Sequence, residues 1–296
     1  MEKNNFPIQQ ADALETCFPV CLRSLAHPVA RLYWRGDLLS ARPRIAIVGT
    51  RKASPEGRKT AYHTAYALSR AGWSVVSGLA FGIDAAAHEG ALAAGGITWA
   101  VLAHGLDTIQ PKNNTMLAQT ILHQDGCLVS EYPPKTPPLP HRFLERNRII
   151  SGLCEAVIVI EAPLASGSLA TARHAREQHK PVFVFPGPAS SRFFAGSHEL
   201  IRQGARLVRN IDDITHDLAA DAPQNTSSIS SKHRLDVSLQ PLEEKILVYM
   251  RAHKKPLSID TLIDEFGVAY HEIQPALASL CLAKHIQETG PQQYEA

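Results

Sequence analysis

At 296 residues, 45% of them hydrophobic and 20% charged, the chain can bury a full core and has room for one large domain plus a small one. It contains no apolar run of about 18 residues, and its opening Met1-Glu2-Lys3-Asn4-Asn5 lacks the basic and apolar regions of a leader, so the expected location is the cytoplasm. The formal net charge of +2 is unevenly spread, with 18 Lys and Arg against 14 Asp and Glu over 44–217 and 5 against 8 over 241–296, which sets a basic middle before an acidic tail.

Residues 1–43 carry Pro7, Pro19, Pro28 and Pro43 and read as a short N-terminal extension with at most a small helical lead-in. From residue 44 onward strands and helices alternate. Strands are expected over 45–48, 74–77, 98–102, 127–130, 156–160, 182–185 and 206–208, and helices over 56–71, 83–94, 113–124, 169–179 and 197–203. Continuous apolar strands between amphipathic helices mean a mostly parallel sheet covered on both faces, an α/β doubly wound domain spanning 44–218. A stretch rich in Ser, Asn and Gln reads as a flexible linker over 219–240. In 241–296, Pro241 opens a helix with Leu242, Ile246, Leu247 and Met250 at helical spacing, and Ser258 caps a second helix that ends at Gly267. A third helix over 270–283 and a hairpin-like tail complete a small winged-helix domain.

Most glycines follow helices as caps. Gly49, Gly78, Gly82, Gly105, Gly167 and Gly187 instead follow strands at their carboxyl ends, the edge where open α/β sheets bind ligands. Gly49-Thr50-Arg51 and Ser77-Gly78-Leu79-Ala80-Phe81-Gly82-Ile83-Asp84 read as backbone cradles for an anion, and Ser166-Gly167-Ser168 at a helix start as a third. For each, simple capping is the alternative reading. Arg51 would fork onto a phosphate or pair with a surface carboxylate. The proline-rich stretch 131–150 reads as a stiff loop holding Phe143 out beside Arg142, Arg146 and Arg148. That arrangement is a stacking platform flanked by phosphate clamps, unless Phe143 packs beneath the loop and Arg148 braces it. Three such seats on one edge suit an extended polyanion better than a mononucleotide.

No metal-ligand or nucleophilic constellation stands out among the 14 histidines and 5 cysteines, which read as plain thiols. His88 and Glu161 are the nearest to chemistry, and their ordinary readings are a hydrogen-bonded histidine and a partner for an arginine.

The run Ala46-Ile47-Val48-Gly49-Thr50-Arg51, the Ser77 to Asp84 loop with Ala87-His88, Ser130-Glu131-Tyr132-Pro133, Phe143 with Arg146-Asn147-Arg148-Ile149-Ile150, Glu161-Ala162, Ser166-Gly167-Ser168-Leu169 and Pro186-Gly187 together resemble the DNA-processing protein A family, also called Smf, over residues 31–215. The resemblance implies an extended Rossmann-type domain that binds single-stranded DNA in a basic pocket, as a homodimer. It also implies loading of the recombinase RecA, with displacement of single-strand-binding protein, during natural transformation. It implies no cofactor. Carried over by position, Arg51, Arg146 and Arg148 would hold phosphates with Ser77, Gly78, Ser166, Gly167 and Ser168, Phe143 would stack on a base, and Lys180 and Arg202 would add backbone contacts. His104, His198 and Leu144 depart from the residues that are usual there. Few basic residues fall on the helix expected over 270–283, which favours a protein contact over duplex binding. The rival is a nucleotide-binding or nucleoside-monophosphate-hydrolysing Rossmann enzyme, the hydrolase being marked by a Pro-Gly-Gly-x-Gly-Thr loop with a following Glu. Here the comparable turn is Pro186-Gly187-Pro188-Ala189-Ser190.

Overall fold

A computed structural model describes residues 6–38, 40, 42–221, 241–253, 256–268, 273–274, 276–277, 280, 285–290 and 293–295, in two compact units, Met1–Pro223 and Gln224–Ala296. The linker expected over 219–240 lies almost wholly outside the described residues.

The first unit is built on a nine-stranded sheet. In chain order its elements are β1 (Gln9–Asp12), β2 (Arg31–Gly36), β3 (Arg44–Val48), α1 (Pro55–Arg70), β4 (Ser74–Ser77), α2 (Ile83–Ala93), β5 (Thr98–Val101), α3 (Thr115–His123), β6 (Cys127–Ser130), α4 (Pro140–Leu153), β7 (Ala156–Val159), α5 (Ser168–Glu177), β8 (Val182–Val184), α6 (Ala195–Arg202), β9 (Arg206–Leu207) and α7 (Ile211–Asp221). The strand order is β1-β2-β6-β5-β4-β3-β7-β8-β9. Strands β3 to β9 run parallel, as their unbroken apolar runs predict. The pleat sorts those runs onto two faces. Ile45 and Ile47 of β3 pack with Ala61, Ala65 and Leu68 of α1 and Ile83 and Ala87 of α2. Ala46 and Val48 face the other way, toward Ile149, Ile150 and Leu153 of α4 and Ala172 and Ala175 of α5.

Of the stretch read as a short N-terminal extension, the described residues 6–38 join the large sheet and its core. β1 and β2 close one side of the sheet as an antiparallel hairpin, with Tyr33 opposite Ser130 and Gly36 opposite Cys127, and Phe18, Leu22 and Leu32 are buried in the common core. The prolines that suggest a broken lead-in lie in irregular backbone outside the strands, and β2 buries Leu32, Tyr33 and Trp34 in succession. That pattern shows neither strand alternation nor helical spacing. The second correction concerns 131–150, whose latter half is helix α4 and not loop. Pro140 occupies the first turn, where its missing N–H costs nothing.

Strand order gives α4 its importance. Because β6 and β7 are separated by β5, β4 and β3, the connection between them must cross the sheet, and α4 is that crossover. It enters at the carboxyl edge and carries Phe143, Arg146 and Asn147 beneath the ends of the central strands.

In the second unit Ser258 caps α9 (Ile259–Phe266) by accepting from the Thr261 N–H at 3.2 Å, and Gly267 closes that helix with φ +62°. α8 (Pro241–His253) precedes it, and β10 (Leu257–Ser258), β11 (Gln287–Gly290) and β12 (Gln293–Glu295) form a small sheet in the order β10-β12-β11. The third helix expected over 270–283 lies largely outside the described residues. Its Ile273, Leu277 and Leu280 are buried with Ile246 and Leu262.

Candidate functional site

The order of the parallel strands reverses between β3 and β7, so α1 and α5 leave on opposite faces and open a crevice at the carboxyl ends of the two strands. A cleft of about 620 Å³ fills that crevice, lined by the loop after β3, the first turns of α4 and the Ser166 to Ser168 turn. At Gly49 the backbone must pass close: a Cβ there would lie 2.5 Å from Ile83 Cγ1. Gly82 adopts φ +79°, with a hypothetical Cβ 2.4 Å from the Thr50 carbonyl oxygen, so the loops after β3 and β4 fit only as glycine turns.

Arg51, Phe143 and the Ser166-Gly167-Ser168 turn converge on the cleft, together with Lys52, which the motif reading passed over. Phe143 is half-buried, its ring flanked by the guanidinium carbons of Arg51 at 5.0 Å and Arg146 at 5.9 Å. Arg51 and Lys52 are exposed, and neither pairs with a carboxylate among the described residues. The Ser166 and Ser168 hydroxyls lie 2.7 Å apart, and the Asn147 amide anchors their turn by donating to the Gly167 carbonyl at 3.1 Å. Two solvated cations, an aromatic face and a hydroxyl pair can hold phosphate and stack a base. The second cation was visible in the sequence as the residue next to Arg51.

Other expected contacts are held within the protein. The Ser77 hydroxyl is buried and donates to the Ile47 carbonyl at 2.6 Å. Gly78 donates its N–H to Asp84 Oδ2 at 3.1 Å, and the Ala80 N–H reaches the same oxygen at 3.4 Å. The β4 loop therefore cradles an anion, but the anion is the chain's own carboxylate. Arg146 is 3% exposed and donates to the Gly78 and Val101 carbonyls. Burial pushes its guanidinium down to about 10 while the charge of Asp84 opposes that shift, and burial raises the Asp84 carboxyl against the same partner. Arg148 is bidentate on Glu131, at 2.7 and 3.3 Å. It braces the proline loop to α4, a bond joined by Tyr132, which donates to Glu145 at 2.8 Å.

Lys180 and Arg202 are not brought to the cleft. Lys180 donates to the last carbonyls of α4, Ser151 at 2.8 Å and Gly152 at 2.7 Å, just before β8 at the amino edge of the sheet. Arg202 is exposed in the last turn of α6, which returns to that same edge. Of the three departures, Leu144 lines the cleft, His198 contacts the Gly187 carbonyl at 3.0 Å, and His104 is buried with Nδ1 2.9 Å from the Gly105 carbonyl.

Glu161 is paired with a helix end, not with an arginine. Its buried carboxylate accepts from the Ser54 hydroxyl at 2.8 Å and the Ser54 N–H at 3.2 Å, at the positive end of α1. His88 is fully buried. Thr98 already donates to the Val75 carbonyl at 2.8 Å, so His88 Nδ1 carries the proton and donates to Thr98 Oγ1 at 2.7 Å. Burial, reinforced by the charge of Arg146, pushes the imidazole down to about 3. A histidine pKa lower folded than unfolded means that the unfolded chain takes up the proton first. Stability contributed by neutral His88 is therefore complete above the ordinary value near 6.5 and is lost as pH falls below it, by about 1.4 kcal/mol per pH unit. Urea titrations at pH 6.5 and 5.5 check this: over that unit the unfolded imidazole goes from half to about nine-tenths protonated, so His88→Leu is expected to remove a loss of about 1 kcal/mol, and an unchanged difference would place the charge elsewhere.

A family model described as DNA recombination-mediator protein A matches residues 11–219. The chain belongs to this family. Protein Smf of Escherichia coli (strain K12) is 39% identical over 290 residues, covering 96% of this chain and 75% of that protein. The DNA processing protein DprA of Bacillus subtilis (strain 168) is 41% identical over 203 residues, 68% of each. Among solved structures, DNA processing protein A from Streptococcus pneumoniae has a TM-score of 0.67 at 40% identity, covering 72% of this chain and 74% of that one. The protein of that name from Helicobacter pylori, described with its mode of binding single-stranded DNA, has a TM-score of 0.64 at 34% identity, covering 74% and 99%. Both likenesses bear out the Rossmann-like, doubly wound fold expected of the family.

Proposed function

We propose that this chain is a single-stranded DNA-binding recombination mediator that seats the strand in the switch-point cleft. In that role it loads RecA onto incoming DNA during natural transformation, in place of single-strand-binding protein, as a homodimer and without bond chemistry of its own. The observation that carries the reading is Phe143 held between Arg51 and Arg146 at the rim of the cleft, beside Lys52 and the Ser166 and Ser168 hydroxyls. Arg51 and Lys52 take phosphates and Phe143 takes a base, while Arg146, Arg148, Ser77 and Gly78 hold these groups in place. The Helicobacter pylori relative, whose structure concerns single-stranded DNA binding, supports the choice of ligand. The two groups nearest to hydrolytic chemistry are both engaged: Glu161 caps α1 and His88 is buried against Thr98. The acidic C-terminal unit is a winged helix that contacts protein in preference to duplex DNA.

The test is a fluorescence-anisotropy titration with oligothymidine and a matched duplex at two salt concentrations. Strand-selective binding that weakens steeply with salt is expected, because each phosphate neutralised on a single strand adds about 0.7 to the salt slope. Arg51→Ala is expected to lower both affinity and slope. Equal binding of strand and duplex, or indifference to Arg51, would overturn the assignment.

A further inference from the structure

A smaller groove of about 290 Å³ adjoins the candidate cleft on the side of the β4 loop. It shares Arg51, Ala80 and Phe143 with the cleft and adds Phe81, Pro111 and Pro138. No residue of α5 or α6 lines it, and Arg51 is its one charged group among the described residues. The loop that carries Phe81 is fixed from both sides. Asp84 Oδ2 accepts from the Gly78 and Ala80 N–H groups, and the buried Asn114 amide donates to the Leu79 carbonyl at 2.8 Å and the Ala80 carbonyl at 3.3 Å. Leu79 is fully buried with φ +56°, a conformation that a bulky residue keeps only where its surroundings impose it. Gly82, pressed against the Thr50 carbonyl, ends the loop. Phe81 is the side chain that this bracing leaves outside, 46% exposed.

We propose that Phe81 is a second stacking post, and that the groove beside it seats the base next to the one on Phe143. The inference rests on the cleft being a single-stranded DNA site and goes beyond it, since one aromatic holds one base and two fix the spacing of a strand. Arg51 lines both depressions, so aromatic, guanidinium and aromatic follow one another as base, phosphate and base do along a strand. Pro111 and Pro138 give the second base an apolar wall whose side chains lose almost no freedom when covered. The hydrogen bonds on either side of the loop hold the ring in place beforehand, so little order has to be imposed when the strand binds.

Anisotropy titrations with an oligothymidine of about 16 nucleotides compare the full chain with Phe81→Ala, Phe81→Leu, Phe81→Trp and Arg51→Ala. Phe81→Ala is expected to bind roughly 5-fold to 150-fold more weakly, the range for loss of one stacking aromatic, with the salt slope unchanged because no phosphate contact is removed. Phe81→Leu should weaken binding as much. Phe81→Trp should keep the affinity, and its added indole should lose fluorescence as the strand saturates the protein, the direct mark of a base on that ring. Because Phe81 is exposed, the unfolding midpoint of each variant and the sedimentation coefficient of the free protein should stay in place. If Phe81→Ala or Phe81→Leu binds as tightly as the unaltered chain, or the added indole is not quenched, while Arg51→Ala still weakens binding, the second post is overturned and the cleft stands. A sedimentation coefficient that changes with Phe81→Ala assigns the ring to a contact between copies and overturns the post as well. Indifference to Arg51→Ala overturns the cleft and the post together.

Discussion

Arg146→Met is expected to lower the unfolding free energy of the first unit by about 3–5 kcal/mol, the cost of stranding a buried charge by removing its partner. The stranded group is Asp84, 7% exposed, which holds the Gly78 and Ala80 N–H groups but relies on Arg146 for its countercharge. The substitution also leaves the Gly78 and Val101 carbonyls without their shared donor, and each buried unpaired group adds cost of its own. Methionine keeps much of the volume, so the loss reads charge more than cavity. All three tryptophans, Trp34, Trp73 and Trp99, belong to the first unit, so urea denaturation followed by tryptophan fluorescence reports that unit alone. Adding Asp84→Asn is expected to recover part of the loss, a coupling that a double-mutant cycle isolates. A loss below about 1 kcal/mol would mean that Arg146 is not the brace and would return it to the role of a phosphate clamp.

The same pair shows why the sequence was legible for the sheet and less so for the site. Strand β4 matches the expected 74–77 and β6 the expected 127–130, because buried parallel strands are dense apolar runs bounded by glycine. The antiparallel β1 and β2 were missed because an edge hairpin needs only a few residues and its burial came from distant partners: Phe18 and Leu22 pack with residues of α4 far along the chain. Helix α4 was hidden by the prolines before it, although Ile149, Ile150 and Leu153 hold helical spacing.

At the site, motif and composition bring the right loops together, but they do not say which donors remain open. A glycine turn before a helix looks the same whether it awaits a phosphate or already holds a carboxylate. Here Asp84 fills the β4 loop, one of the three expected seats, and Glu161 fills the adjoining start of α1, so donors that the sequence offers to a ligand are occupied from within. That shifts the expected recognition from backbone amides to the side chains of Arg51, Lys52 and Phe143. It also predicts that affinity depends more on charge and stacking than on the cradle geometry the glycines suggest. Lys180 and Arg202 illustrate the opposite limit, since a basic residue in a basic domain carries no address until topology assigns its edge.

Phe143→Ala tests that shift most directly. Under the proposed function it is expected to weaken binding of oligothymidine by about 1–3 kcal/mol, the range for loss of one base-stacking aromatic, or roughly 5-fold to 150-fold in affinity. The ring is half-buried at the cleft rim, not in the core, so the tryptophan-detected unfolding midpoint should move little. The salt slope should stay near that of the unaltered chain, because no phosphate contact is removed. That combination of lower affinity and constant slope separates stacking from the Arg51→Ala effect, where both fall. Two guanidinium groups beside the ring, at 5.0 and 5.9 Å, set its orientation through cation–π attraction. Phe143→Trp should therefore retain binding, while Phe143→Leu, apolar but without a π face, should behave like alanine. If leucine binds as tightly as phenylalanine, the side chain is a spacer for Arg51 and no base stacks there.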